Sequence, residues 1–332
     1  MKKTSIVLCA LVALTGAAQA QSSVSISGVI DLAVGRDQGN SNTRMGAGDT
    51  NTLAFNGKED LGGGLKAVFE LSTRINPDVG QTDYAGGNVL NTSMKPFWTQ
   101  ASRVALQNSM GEISLGRQFS PALGSQAAAD PWGWRYVSSA FGVTSGGIAN
   151  VWYNHSVAVY GTVSGVSLGA LIAPVKDNPG WGMFSATQSA NAGKDGLKTP
   201  YAMSASFTAA GLTVLAAYEK PADGISSWST LTGLYSIGTV RLNGFFGSGT
   251  NTASQSVRSV LLASVIPVGN GEFRVSYGTR SVAGTTDISQ IAGAYWYNLS
   301  KRTSVYVNLG HDSKASTAGS SLGTETGLRH VF

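Results

Sequence analysis

The sequence is poor in charge, has a single cysteine and contains no long apolar run beyond its first residues. Charged residues make up 12% of the 332 residues, roughly half of the ~25% found in ordinary soluble domains. The lone Cys9 excludes a disulfide framework. No later apolar run approaches the roughly 18 to 20 residues that a membrane-spanning helix requires. The composition therefore argues against an ordinary soluble domain and against a helical membrane protein.

The N-terminus has the pattern of a secretory signal peptide. Lysines at positions 2 and 3 precede an apolar stretch at residues 6–14, and the tripeptide Ala-Gln-Ala at residues 18–20 has the small-x-small form of a cleavage site. We expect residues 1–20 to be removed, together with the only cysteine. Residues 21–332 are expected to form one domain, because no linker, charge block or internal repeat divides them.

Alternation of apolar and polar side chains with a period of two recurs along the rest of the chain. In residues 65–74 one face is apolar, whereas the other carries Lys66, Glu70 and Arg74. An even number of such stretches fits a closed antiparallel barrel. Sixteen stretches qualify, at residues 24–34, 52–58, 65–74, 99–106, 112–117, 156–163, 166–173, 201–208, 212–218, 228–237, 240–246, 257–266, 273–278, 288–297, 304–310 and 323–332.

The connections between these stretches alternate between tight turns, such as residues 164–165, and long loops, such as residues 35–50. This order is typical of transmembrane barrels, with short turns on one side of the membrane and long loops on the other. A soluble all-β protein also alternates, but its apolar face fills a core. Here the polar face carries long charged side chains, which favours apolar residues facing lipid. We therefore expect an all-β, 16-stranded antiparallel transmembrane barrel in a lipid bilayer.

Four motifs resemble those of the trimeric general porins of Gram-negative bacteria. They are Gly-Lys-Glu-Asp-Leu-Gly-Gly-Gly-Leu-Lys at residues 57–66, Leu-Gly-Arg-Gln at 115–118, Asn-Leu-Ser-Lys-Arg-Thr at 298–303 and Gly-Leu-Arg-His at 327–330, followed by the terminal Phe332. In the first motif, three successive glycines permit a tight turn with positive φ angles.

The resemblance implies an outer-membrane channel of a Gram-negative bacterium that passes small hydrophilic solutes and ions by diffusion. It further implies a homotrimer, an inward-folded third loop at residues 119–150, and recognition of Phe332 by the barrel-assembly machinery. The loop contains Asp130 and Arg135, which we place at the pore constriction.

Strand parity predicts a lumen wall with a net positive charge. The basic side chains assigned to the lumen are Lys58, Lys66, Arg74, Arg103, Arg241, Arg258, Arg274 and Arg329. The acidic ones are Asp31, Glu70, Glu219 and Glu325. Arg117 is also placed at the constriction, although its parity matches the apolar face of its strand. Either the strand bends at this residue, or the long side chain extends from the apolar face towards water. Fixed charges in a narrow passage select ions of opposite sign, so we expect a weak anion preference. In the alternative interpretation many of these arginines pair with Glu70 or Glu325 away from the narrowing.

Two other functions deserve comparison with a general diffusion channel. A substrate-specific channel would carry a saturable binding track, for which the candidates are Trp152, Tyr153, Trp181 and Trp228. A barrel hydrolase is a remote alternative, because the adjacent His155 and Ser156 would point to opposite faces of a strand. The sequence has no metal-ligand spacing, and its net charge of +5 is dispersed. We expect no enzyme activity, cofactor, metal or nucleic-acid partner.

Overall fold

The computed structural model describes residues 22–82, 97–174, 198–315 and 320–332. The expected signal peptide at residues 1–20 and Trp181 lie outside these described residues. Sixteen long strands dominate the described part of the chain. They are β1 (Ser23–Arg36), β2 (Thr52–Gly62), β3 (Leu65–Asn76), β4 (Ser102–Gln107), β5 (Gly111–Phe119), β6 (Trp152–Val163), β7 (Val166–Ile172), β8 (Tyr201–Ala209), β9 (Leu212–Lys220), β10 (Ser227–Ile237), β11 (Val240–Thr250), β12 (Ser256–Val268), β13 (Gly271–Val282), β14 (Thr285–Asn298), β15 (Thr303–Asp312) and β16 (Leu322–Val331).

Four further elements lie in the loops of the described part of the chain. Two are short strands, Arg44–Gly46 and Gln81–Thr82, and two are helices, α1 (Leu123–Ala129) and α2 (Phe141–Thr144). Among the described residues, no helix has the length and apolar character needed to cross a bilayer.

The sheet closes on itself, because β1 pairs with β2 on one side and with β16 on the other. Every neighbouring pair of barrel strands is antiparallel. Closure leaves no strand edge with unpaired backbone groups, which is the condition for a sheet to survive in lipid. The predicted 16-stranded antiparallel barrel is therefore confirmed. Strand β4 begins at Ser102 rather than at residue 99, because residues 99–101 run as a separate segment bonded to Ser72.

Strand β1 begins and strand β16 ends on the side of the short turns. Ser23 pairs with Lys58, beside the first turn, and His330 pairs with Thr303, beside the last. The first turn has the backbone that its glycines permit, with φ of 61° at Gly63. On the opposite side the connections are longer, except for the two residues between β13 and β14.

The two faces of the wall differ as the alternation predicts. In β5, Ile113 and Leu115 are 48% and 53% exposed, whereas the intervening Ser114 is 0% exposed. In β1, Ile30 faces outward and Asp31 faces inward. The exposed apolar side chains thus form the outer surface of the barrel, as a lipid-facing wall requires.

The last residue completes the closure of the barrel. Phe332 exchanges two backbone hydrogen bonds with Gly28 of β1, at 3.0 and 3.1 Å. A Cβ atom at Gly28 would lie 2.6 Å from Cζ of the Phe332 ring and 2.3 Å from the carbonyl oxygen of Thr52. The ring therefore occupies space that only a glycine leaves open.

We predict that Gly28→Ala destabilises the barrel by about 1–3 kcal/mol, because the added methyl group overpacks against Phe332 and a neighbouring strand. The midpoint of urea unfolding in lipid vesicles measures this effect. Gly244→Ala is the matched control, since nothing lies within 4 Å of a Cβ atom there. Equal midpoints for the two variants would contradict the packing role of Gly28.

Candidate pore constriction

The third loop, residues 120–151, folds into the barrel and lies against one part of its wall. Helix α1 contacts β9, β10 and β11, and helix α2 contacts β11, β12 and β13. Wall side chains bond to the loop backbone: Thr232 Oγ1 donates to the carbonyl oxygen of Ser125 at 2.6 Å, and Asn243 Nδ2 to that of Ala129 at 3.0 Å. The inward-folded third loop is confirmed, and it narrows the lumen from one side.

Glu219 on β9 holds both ends of this loop. Its carboxylate accepts hydrogen bonds from Ser120 Oγ at 2.7 Å, Gln126 Nε2 at 2.9 Å and the hydroxyl of Tyr153 at 3.2 Å. The residue is 0% exposed. Parity correctly placed Glu219 on the inner face, but the loop covers it, so it acts as an anchor and not as a charge that a solute meets.

The tip of the loop is anchored by Asp31 and Glu325. The Asp31 carboxylate accepts hydrogen bonds from the hydroxyls of Tyr306 at 2.5 Å and Tyr136 at 3.1 Å, and the Glu325 carboxylate accepts one from Val137 N at 3.0 Å. Asp31 is 0% exposed. Parity placed Asp31 on the inner face, where it lies, but the loop packs on top of it, so that it is not a charge that a solute meets.

Asp130 organises the loop from within. It is 3% exposed, and burial raises the pKa of its carboxyl group. The predicted position as a pore-lining charge is wrong, since its oxygens face the backbone of its own loop. At 2.7–3.2 Å they accept hydrogen bonds from Trp132 N, Trp134 N, Ala140 N and Ser139 Oγ.

Arg74 and Arg135, two of the predicted constriction residues, meet at one cavity. Arg74 comes from β3 and Arg135 from the loop, and both line a space of about 190 Å³. The Arg135 side chain is 44% exposed, and its Nε lies 2.7 Å from Oδ1 of Asp49. Asp49 was missed by the sequence analysis, because it lies in a long loop to which strand parity does not apply.

Arg103, Glu70 and Lys66 lie on the same wall as Arg74, on β3 and the adjoining β4, nearer the short turns. Arg103 bridges two carboxylates, those of Glu70 and Glu112, and so forms the kind of ladder that the alternative interpretation describes. Lys66 lies on the same face of β3 as Glu70 and pairs with Gln107 near the short turns. This part of the wall carries few uncompensated charges.

Arg274 and Arg117 are held against the wall. The Arg274 guanidinium bonds Glu272 and the carbonyl oxygen of Pro131, beneath the loop, and lies 4.2 Å from the centre of a Trp296 ring. Arg117 donates to the carbonyl oxygen of Thr99 and to the side chain of Asn154. The pairing register of β5 shifts between Gly116 and Gln118, at the position of Arg117. The strand is therefore irregular here, as the parity of Arg117 suggested.

The lumen position predicted for Arg258 is wrong. Arg258 shares the face of the exposed Val260 and Leu262, whereas Val257 and Leu261, each 1% exposed, face inward. The inner face of β12 is apolar because α2 packs on it. The assumption that the apolar face points to lipid therefore fails in this strand.

Three of the four aromatic side chains proposed for a binding track are not available to a solute, and the fourth, Trp181, lies outside the described residues. Trp152, Tyr153 and Trp228 are 1%, 0% and 0% exposed. Trp228 donates to the carbonyl oxygen of Thr144 in the loop at 3.1 Å. They pack the loop against the wall, and the track formed by these three residues is therefore contradicted.

The two residues considered for a hydrolase, His155 and Ser156, lie in different environments. His155 is exposed and has a φ of 49°, whereas Ser156 is buried and donates to the carbonyl oxygen of Gly116 at 2.8 Å. In the described ranges, no group of three or more His, Cys, Asp or Glu side chains is placed to hold a metal ion.

We predict that Asp130→Ala loosens the third loop while the barrel stays folded. Hydrogen bonds to a buried carboxylate are lost, which should lower the free energy of loop opening by at least about 2 kcal/mol. Hydrogen exchange at residues 130–140 measures the change. The matched control is Asp223→Ala, because Asp223 caps an outer turn through Ile225 N and Ser226 N and makes no hydrogen bond to the third loop. Equal exchange in this segment for both variants would refute the role of Asp130.

Comparison with known proteins agrees with this architecture. The family model of the Gram-negative porins matches residues 7–316. Outer membrane porin protein 32 of Delftia acidovorans is 27% identical over 379 residues, covering 99% of this chain and 100% of that protein.

Solved porin structures share the fold. An anion-selective porin from Comamonas acidovorans superposes with a TM-score of 0.71 at 23% identity, covering 94% of this chain and 100% of that one. The trimer form of OmpT from Vibrio cholerae gives a TM-score of 0.68 at 12% identity, covering 94% and 99%. The chain belongs to the Gram-negative porin family, and its barrel is a channel of the outer membrane.

Proposed function

We propose that this porin, a diffusion channel for small hydrophilic solutes and ions, has a weak preference for anions. The observation that carries the proposal is the charge around the cavity between loop and wall. Arg74 and Arg135 line this cavity together with Asp49. Asp49 also binds Arg329. Two guanidinium groups therefore bind one carboxylate, and Arg74 adds a third basic side chain to the lining of the same cavity.

The other acidic groups near the passage do little to offset this charge. Glu70 and Glu112 are paired with Arg103, and Glu219 and Asp130 are buried by the loop. Fixed charges act strongly on ions in a narrow passage between low-dielectric walls. The structural neighbour from Comamonas acidovorans is an anion-selective porin, which is consistent with the proposal.

We predict that the reversal potential of the wild-type channel, recorded in a planar bilayer across a potassium chloride gradient, favours chloride. Arg74→Gln and Arg135→Gln should each lower the chloride-to-potassium permeability ratio about twofold, since a unit charge ~8 Å from an ion in water-like dielectric is worth about 0.5 kcal/mol. Arg258→Gln is the control and should leave the ratio unchanged, because Arg258 faces outward. A wild-type channel that favours potassium would overturn the proposal.

We propose that three copies of the chain assemble in the membrane. The support is the trimer form of OmpT among the structural neighbours and an outer surface with large exposed apolar side chains. Electrophoresis of refolded protein in detergent without heating should give a species of three chains that heating converts to one. Monomers alone under both conditions would contradict the trimer.

Export and assembly stay predictions from the sequence. Removal of residues 1–20 is proposed from the signal pattern. Recognition of Phe332 by the barrel-assembly machinery is proposed from the family resemblance. The contact of Phe332 with Gly28 supports only its separate role in closing the barrel.

A further inference from the structure

The carboxylate of Asp49 joins the inward loop to the barrel wall. Its Oδ1 lies 2.7 Å from Nε of Arg135, on the loop, and its Oδ2 lies 2.7 Å from Nε of Arg329, on β16. The Asp49 side chain is 2% exposed, and its Oδ1 also accepts a hydrogen bond from Thr50 N. Each oxygen is therefore committed to a different guanidinium group.

The backbone around Asp49 is fixed from three directions. Gly48 N donates to Oδ1 of Asp31 at 3.3 Å, and the carbonyl oxygen of Gly48 accepts a bond from Tyr136 N at 3.1 Å. Asn51 Nδ2 donates to the carbonyl oxygen of Asp31 at 3.0 Å, and the carbonyl oxygen of Asn51 accepts one from Ile75 N at 3.1 Å. Strands β1 and β3 and the third loop thus hold residues 48–51 in place. The position of Asp49 therefore determines where the Arg135 side chain lies, and not the reverse.

A close approach at Gly48 makes this docking possible. A Cβ atom at position 48 would lie 2.2 Å from the hydroxyl oxygen of Tyr306 and 2.8 Å from Oδ1 of Asp31. Only glycine lets the chain come this near to the wall. The neighbouring Asp49 is thereby carried to the edge of the cavity lined by Arg74 and Arg135.

We propose that Asp49 is a specificity-determining residue of the channel, which positions Arg135 at the passage and offsets part of the positive charge there. The inference rests on the proposed anion preference and explains why that preference is weak. Asp49 acts through Arg135 and Arg329 and is a positioning residue.

The two effects of Asp49 are separable. Its charge opposes anion selectivity, so its removal should raise the chloride-to-potassium permeability ratio. Its bond to Arg135 limits the motion of that side chain, so its removal should add fluctuations to the open-channel current. A residue that served only the stability of the barrel would change neither the reversal potential nor the current noise of folded channels.

The test compares Asp49→Asn with wild type in single-channel recordings across a potassium chloride gradient. We expect the chloride-to-potassium ratio to rise about twofold, the effect of one unit charge at short range in a water-like dielectric. Open-channel noise should also rise, and adding Arg135→Gln to Asp49→Asn should remove the extra noise. Glu272→Gln is the matched control, because it also removes one carboxylate from an arginine, but Arg274 remains held by the carbonyl oxygen of Pro131. The Glu272→Gln variant should therefore show the same open-channel noise as wild type.

An unchanged or lower permeability ratio in Asp49→Asn would overturn the proposal, as would noise that persists after Arg135→Gln is added. Heat-dependent mobility in gels verifies that each variant forms a barrel. If Asp49→Asn does not fold, Asp49→Glu replaces it: the charge is kept, so the ratio should stay near wild type while the noise changes. Unchanged noise in Asp49→Glu would refute the positioning role. The sign of the wild-type reversal potential tests the proposed function, whereas the difference between variant and wild type tests Asp49.

Discussion

The hydrogen bonds between the first and last strands are the constraint on which the rest of the structure depends. Hydrocarbon offers no water to an unpaired N–H or carbonyl group, so the sheet must close. Closure pairs β1 with β16 from Val29 to Arg36 and brings Phe332 onto Gly28. It also fixes which side chains face lipid and which face water, because the side chains of each strand alternate. The apolar exterior and the polar lumen are therefore two consequences of one closed ladder.

A barrel of this size is too wide for its own side chains to fill, so the inward loop determines how narrow the passage is. The loop brings backbone amides and hydroxyls against the wall, and these groups need partners there. The wall supplies carboxylates: Glu219 binds the two ends of the loop, and Asp31 and Glu325 bind its tip. Acidic residues on the inner face are thus used to hold the loop. Because the loop covers these carboxylates, they do not face the passage. The negative charge at the passage is therefore lower than the number of acidic residues in the sequence suggests.

Strand number and most strand faces were predictable from the sequence, because alternation and turn composition are local signals, whereas the inward loop was expected only from the resemblance to the Gram-negative porins. The site was less predictable, for two physical reasons. Parity was read with the apolar face outward, and β12 breaks this rule because α2 covers Val257 and Leu261 on its inner face. Arg258 was misplaced in consequence. Residues in loops have no parity at all, so neither the burial of Asp130 nor the bridging position of Asp49 could be inferred.

Pairing of arginines with carboxylates does not by itself remove the electrostatic preference of the passage. The Asp49 side chain is 2% exposed, whereas those of its partners Arg135 and Arg329 are 44% and 27% exposed. In the pair of Glu325 and Arg44 the carboxylate is again the less exposed group, with 0% against 29% for the arginine. Arg44 and Asp37 show the opposite order, with 29% against 48%. In the three pairs of Asp49 and Glu325, however, the negative end points into the protein and the positive end towards water. An ion in the passage approaches the positive end first, and at short range the nearer charge dominates the interaction. Where the carboxylate is the buried end, as at Asp49, an ion pair therefore still favours anions, and the direction in which a pair is buried matters as much as the net charge of the lumen.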